Sequence, residues 1–220
     1  MDIRQKDFFC SWSGGKDSCL ALYYALQQGG LAKKLLTVMI ENGERSHSHG
    51  LSLALLKKQA ELLEIPLMTV AATWESYEEN FIDALQAMRA EGIKIGVYGD
   101  IDLENHRNWV LKVSQAAGLE AYHPLWQKPR REVLAEFIAA GFKAVVVAVD
   151  GRRLSKEFLG RLVDRQLLQE FEQTGIDPAG ENGEYHTVVI GGPIFKAELK
   201  IELQEQLERS GYWFQNIKII

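Results

Sequence analysis

Four short apolar runs, Asp7 to Trp12, Leu35 to Ile40, Leu67 to Ala71 and Ile95 to Gly99, each lead into a stretch of helical period. That alternation restricts the fold more than any other feature. The helical stretches fall at Lys16 to Gln28, Leu51 to Leu63, Glu75 to Glu91 and Leu103 to Ala117, and Gly29-Gly30, Pro66, Gly92 and Gly118 punctuate their ends. Apolar runs too short for helices, alternating with amphipathic segments, predict a parallel sheet covered by helices. The expected fold class is α/β, a doubly wound parallel sheet with a second, smaller α/β domain.

The pattern changes at His123-Pro124-Leu125-Trp126, which reads as a turn. Beyond it the sequence predicts a helix from Arg130 to Ala140, an apolar strand from Ala144 to Val149 and a polar helix from Ser155 to Gln173. A glycine-rich loop from Gly175 to Gly183 and strands at His186 to Ile190 and Tyr212 to Ile219 complete the reading. The domains are accordingly expected at residues 1–125 and 126–220. Trp74, Tyr77 and Phe81 sit at helical spacing and are expected in a core or an interface.

The 25 basic residues against 30 acidic ones leave a net charge of -5, which argues against general nucleic-acid binding, where a basic face must neutralise phosphates. A small basic patch stays open. No leader-like segment and no run of about 20 apolar residues is present, so a cytoplasmic protein with no membrane partner is expected. Cys10 and Cys19 fit neither a disulfide scaffold nor paired zinc spacing and read as small buried side chains.

The strongest chemical signal is Ser13-Gly14-Gly15-Lys16-Asp17-Ser18, placed directly after the first strand and opening the first helix. Two glycines let the backbone curl around an anion, and the N–H groups of a helix start point at it with the helix dipole behind them. Lys16 adds positive charge, and Ser13 and Ser18 offer hydroxyls. A Walker A loop would need glycine where Cys10 stands and Ser or Thr where Asp17 stands, so this is a shorter loop, suited to pyrophosphate. At the end of the fourth strand, Gly99 and Asp100 lie where open α/β sheets bind ligands, and Asp100 suits a magnesium ion or an ordered substrate group. Capping of the next helix by Asp100 or Asp102 is the open alternative. His106 and Arg107 follow one turn on.

In Ser46-His47-Ser48-His49-Gly50 no third ligand accompanies the two histidines, so no metal site is assigned. His47 and His49 follow the second strand and are expected to contact nucleotide or acceptor, with a plain polar helix start as the alternative. Gly180 to Thr187 packs Glu181, Asn182, Glu184 and His186 between glycines, more polar chemistry than a turn needs, and reads as a loop that closes on a polar ligand.

The loop from Ser13 to Ser18 resembles the pyrophosphate loop of the N-type ATP pyrophosphatases. The resemblance implies a sheet of the adenine nucleotide alpha-hydrolase-like (HUP) type. Ser13 to Ser18, Gly99-Asp100, His123 to Trp126, Val149-Asp150-Gly151, Leu159-Gly160-Arg161 and Glu181 to Thr187 together occur in the order seen in the diphthine-ammonia ligase family, over nearly the whole chain. That resemblance implies ATP and Mg2+ as cofactors, adenylation of a carboxylate with release of pyrophosphate, and amidation by ammonium or another amine donor. The acceptor in that family is a modified histidine of elongation factor 2. Ser13, Gly14, Gly15, Lys16, Asp17, Ser18, Gly99 and Asp100 would bind the nucleotide, with Lys16 and Asp17 catalytic. His47, His49, Glu181, Asn182, Glu184 and His186 would bind the substrate. The ligases show Glu-Gly-Gly-Glu-x-Glu where this chain has Glu181 to His186, so Asn182 and His186 depart from the pattern. A related ATP pyrophosphatase with another substrate, hydrolysis of ATP to AMP, a non-catalytic nucleotide sensor and a homodimer all stay open.

Overall fold

The computed structural model describes residues 1–47 and 49–220, which form two compact units. The first comprises Met1–Ser13 and Asp17–Gln127, the second Gly14–Lys16 and Lys128–Ile220.

Strands and helices alternate through the first 122 residues as β1 (Asp7–Ser11), α1 (Lys16–Gln27), β2 (Leu31–Met39), α2 (Leu53–Leu63), β3 (Leu67–Ala71), α3 (Tyr77–Ala90), β4 (Ile95–Val97), α4 (Glu104–Ala117) and β5 (Glu120–Tyr122). The five strands form one parallel sheet in the order β3-β2-β1-β4-β5. β1 is central, and Phe8, Phe9 and Cys10 are fully buried because both faces of such a strand are covered. Against it α3 turns Phe81, Ala84, Leu85 and Met88 inward, one stripe at helical spacing, and α4 adds Val110, Val113 and Ala117. Each fully buried side chain of this size contributes roughly 2 kcal/mol.

Local chemistry sets the helix ends. Ser52 accepts the N–H of Leu55 at the start of α2, and α4 stops at Gly118, whose φ of 70° is left-handed. Both cysteines are free and buried, and burial pushes their thiols up, which suits a packing role.

In the first unit the structure differs from the sequence reading at β2, at β5 and at the start of α4. β2 begins at Leu31, ahead of the apolar run, because Leu31 and Ala32 pair with Asp7 and Phe8 of β1. β5 was not expected, being three residues long and held by pairing with β4. Of the trio expected in a core or an interface, Phe81 enters the core, and Trp74, which precedes α3, is 75% exposed. α4 starts from Leu103, so Asp100 lies outside the helix it was weighed as capping.

The second unit carries α5 (Arg130–Ala139), β6 (Lys143–Asp150), α6 (Arg165–Thr174), β7 (Tyr185–Gly191), β8 (Ile201–Arg209) and β9 (Tyr212–Ile219). Its sheet is antiparallel in the order β7-β6-β9-β8. The expected single helix from Ser155 to Gln173 is a 3-10 turn at Lys156–Phe158 followed by α6. Between them the chain runs beside β6: Gly160 N–H donates to Val146, Val146 N–H to Arg161, and Val163 N–H to Ala144. Asp164 then caps α6 by accepting the N–H of Leu167 at 2.8 Å. β8 was also unexpected. Ser210 and Gly211, with φ of 52° and 82°, make a tight two-residue turn that folds Ile201–Arg209 back onto β9.

Among the described residues no helix is long and apolar enough to cross a membrane.

Gly96 tests the packing of the first sheet. A Cβ there would stand 2.7 Å from ring atoms of both Phe9 and Tyr98. Gly96→Ala is expected to cost about 1–3 kcal/mol, seen as a lower urea midpoint with unchanged slope.

Candidate functional site

In the first unit the strand order reverses between β1 and β4, the place where open α/β sheets leave a crevice at their carboxyl ends. Ser13 follows β1, and Tyr98, Gly99 and Asp100 follow β4. The approach is close: a Cβ on Gly99 would lie 2.9 Å from the carbonyl carbon of Asp17 and the amide nitrogen of Ser18. Gly99 is therefore needed for backbone packing against the start of α1, whatever else it touches. Ser18 is 5% exposed, its hydroxyl accepts the N–H of Ser13 at 3.3 Å and lies 3.0 Å from the Ser13 hydroxyl. The two serines thus brace the loop across its width.

Asp100 is largely buried. Burial pushes its carboxyl up, the nearby Asp17 adds to that shift, and His106 opposes it. His123 Nε2 lies 3.5 Å from Asp100 Oδ2, and its ring stacks on Tyr98 with centroids 5.5 Å apart. Burial, reinforced by the Arg107 charge, brings His123 down to about 4, so its imidazole is neutral at physiological pH. Arg107 itself stacks over Trp126 at 4.7 Å.

His49 Nδ1 is 3.1 Å from the Ser13 carbonyl, so of the two candidate histidines it is the one at the loop. His47 Nε2 is 2.7 Å from the Ala72 carbonyl, and its ring meets Trp74 and Tyr77 edge-on. Ser48 lies outside the described residues.

Gly14 to Lys16 belong to the second unit. Gly14 has a φ of 79°, and its carbonyl accepts the N–H of Val189 at 2.9 Å. Within the second unit the Lys16 N–H donates to Thr187 Oγ1 at 3.1 Å. The Lys16 ammonium donates to the Ala179 carbonyl and lies 5.3 Å over the Tyr185 ring, and Lys16 is only 5% exposed. Glu184 is buried and accepts both the backbone N–H and the side-chain amide of Asn182 at 3.1 Å. The Asn182 carbonyl accepts from Arg153 at 3.1 Å. Arg153 also approaches Glu184 and the buried Asp150, whose carboxyl the hydrogen bonds of Arg152 hold down. Glu181 donates its N–H to Asp177, and His186 sits on β7 opposite Ala148.

Several of these residues were not singled out by the sequence. Thr187 and Tyr185 stood inside the quoted motif but read as its flank, and His123 read only as a turn residue. No local signal marks them, since their partners are distant in sequence.

Such a sheet, with a glycine loop opening its first helix at the switch point, is an α/β fold of the HUP-like type. Comparison with known families matches the Diphthamide synthase N-terminal domain over residues 8–121 and the Diphthamide synthase C-terminal domain over residues 130–220. The chain belongs to the diphthamide synthase family. It is 27% identical over 225 residues to a protein of Schizosaccharomyces pombe named diphthine-ammonia ligase, covering 90% of this chain and 36% of that protein. It is 26% identical over 231 residues to the Mus musculus protein of the same name, covering 90% of this chain and 84% of that one. The chain thus spans about a third of the fission yeast protein and most of the mouse one.

Thr187→Val keeps shape and removes the acceptor of the Lys16 N–H. It is expected to cost about 1–2 kcal/mol, seen as a lower melting temperature in thermal unfolding.

Proposed function

We propose that this chain is an ATP-dependent ligase that adenylates a carboxylate, releases pyrophosphate and passes the acyl group to ammonium, as the name of its relatives suggests for diphthine. The observation that carries the reading is the Ser13 to Ser18 loop at the start of α1, braced by its two serines, beside the end of β4. A helix start of this kind favours an anion through the positive end of its dipole.

The chemistry balances in two steps. A carboxylate oxygen forms a bond to the α-phosphorus, and the bond from that phosphorus to the bridging oxygen breaks, pyrophosphate leaving with the electron pair. Ammonia then bonds to the acyl carbon, AMP leaves, and the nitrogen gives up a proton. The loop amides and Lys16 would stabilise charge on the departing pyrophosphate. For Lys16 this means exchanging the Ala179 carbonyl for phosphate oxygens, while the Tyr185 ring stays beneath it. Magnesium, carried on the nucleotide, would neutralise phosphate charge. Asp17 in the loop and Asp100 at the end of β4 are the carboxylates that would hold such an ion.

His49 fits a place beside the nucleotide, given its bond to the Ser13 carbonyl, and His47 anchors the aromatic group of Trp74 and Tyr77. Glu181, Asn182, Glu184 and His186 would shape the acceptor side. Asn182 takes no left-handed backbone, so a glycine there is not required by conformation, and its amide instead fixes Glu184. A cytoplasmic setting suits an acceptor carried on elongation factor 2, and a pairing of two copies would be compatible.

The reading is tested by incubating the protein with α-labelled ATP and candidate carboxylates. AMP and pyrophosphate are expected, and Lys16→Ala should slow their release by roughly two to three orders of magnitude while the fold persists. ADP and orthophosphate as main products would refute it. A second test addresses the acceptor: with Asn182 and His186 in place, amidation of diphthine-bearing elongation factor 2, followed by mass spectrometry, is expected to be poor. The double change Asn182→Gly, His186→Glu should raise it. Efficient wild-type amidation would show the departure to be neutral.

A further inference from the structure

We infer that Asp177, on the loop between α6 and β7, is a positioning residue that sets where the Lys16 ammonium stands and acts through it on the departure of pyrophosphate. The inference rests on the nucleotide reading above and gives a role to a residue outside the Glu181 to His186 segment. Within the second unit the Lys16 ammonium ends on the Ala179 carbonyl, and both peptide groups that flank Ala179 are fastened to Asp177. The Ala179 N–H donates to Asp177 Oδ1 at 2.9 Å. The Gly180 N–H, in the same peptide as the Ala179 carbonyl, donates to the Asp177 carbonyl at 3.0 Å. Asp177 Oδ2 accepts the Glu181 N–H and the Arg130 guanidinium, each at 2.8 Å. The carboxylate is thus engaged on both oxygens, with its side chain only 6% exposed. Hydrogen bonds to a charged acceptor are roughly twice as strong as neutral ones, so this clamp holds its loop more firmly than an ordinary turn would.

Tyr185 fixes the other side of the loop. Its hydroxyl donates to the Pro178 carbonyl, and a Cβ on Gly180 would lie 2.9 Å from its ring, so loop and ring are in contact. The same ring lies under the Lys16 ammonium at 5.3 Å and is itself stacked on Phe171, with centroids 4.6 Å apart. Lys16 is therefore held by a carbonyl and a ring that Asp177 and the loop keep in register. A lysine stem is flexible and, left unheld, spreads over many rotamers. An ammonium fixed beforehand needs no reorganisation when charge develops on the leaving group. The Ala179 carbonyl is neutral, so it yields to charged phosphate oxygens, and the ring stays beneath the ammonium through the exchange. Loss of Asp177 would leave the charge of Lys16 present but unaimed, a smaller defect than loss of Lys16 itself.

Acetylation of the full chain with N-hydroxysuccinimidyl acetate, read lysine by lysine by peptide mass spectrometry, tests the placement without any nucleotide. In the wild type Lys16, 5% exposed, is expected to react at least about tenfold more slowly than the exposed Lys57, because its rate follows local opening of the loop. In Asp177→Ala the Lys16 rate should rise about tenfold with Lys57 unchanged, and in Asp177→Asn, which keeps one acceptor oxygen, it should rise less. Pyrophosphate release tests the consequence. Asp177→Ala should lower kcat about tenfold, against roughly two to three orders of magnitude for Lys16→Ala, with KM for ATP within about twofold of wild type. Because Asp177 acts through Lys16, the double variant should be no slower than Lys16→Ala alone, whereas a general loss of stability would add to it. Wild-type Lys16 reacting as fast as Lys57 would overturn the proposal. So would unchanged labelling or unchanged kcat in folded Asp177→Ala, or a double variant slower than Lys16→Ala by the full effect of Asp177→Ala. Should Asp177→Ala fail to fold, the wild-type rates and Asp177→Asn decide. If the wild type cleaves no ATP, the nucleotide reading fails, and the labelling still judges whether Asp177 places Lys16.

Discussion

The first turn of α1 lies against Gly99 with no room for a methyl group, since a Cβ would come within 2.9 Å of main-chain atoms of Asp17 and Ser18. Backbone cannot give way as a flexible side chain can, so this contact fixes where the helix start stands relative to the end of β4. Much of the first unit's chemistry follows from it. Ser18 is held where its hydroxyl reaches Ser13, and Asp17 is held near enough to Asp100 for the two charges to interact. The parallel order of β1 and β4 places the contact at the carboxyl ends of both strands. A carboxylate so placed loses solvation, which is why Asp100 resists ionisation more than a surface aspartate would.

A different balance holds the second unit's loop. Asp150 and Glu184 are both buried, and each has a partner: Arg152 binds Asp150 through its backbone N–H and two guanidinium hydrogen bonds, and Asn182 closes on Glu184. Buried carboxylates are tolerable only when hydrogen-bonded in this way. The polar richness of the Glu181 to Thr187 segment is therefore partly structural, with Glu184 and Thr187 turned inward and His186 less so. The glycines on either side serve the turn, Gly180 and Gly183 both having positive φ. Polar content alone overstates how many of these side chains can meet a ligand.

Elements whose residues carry their own signal were legible. The apolar β1, β3 and β6 and the amphipathic α2 to α5 stand close to where periodicity puts them. The misses share a cause. β5 and the leading residues of β2 have weak patterns and exist because a neighbouring strand offers them hydrogen bonds. β8, written Ile-Glu-Leu-Gln-Glu-Gln-Leu-Glu-Arg, is composed of good helix formers, and only its pairing with β9 makes it a strand. In the stretch read as one polar helix, the pairing of Gly160 to Val163 with β6 prevailed over local propensity.

The sequence by itself determined the α/β alternation, the glycine loop between the first strand and first helix, and the residue types that could handle phosphate, because these depend on local spacing and backbone freedom. Tertiary structure alone decided which of those residues meet. It gave Lys16 the Ala179 carbonyl and the Tyr185 ring, made Thr187 the acceptor for the Lys16 amide, set Gly99 beneath Asp17, and left the imidazole of His123 facing Asp100. Those partners are separated by 23 to 171 positions in the chain, so no window of sequence contains both members of a pair. Burial and hydrogen bonding act through distance in space, and the order of strands in each sheet sets that distance.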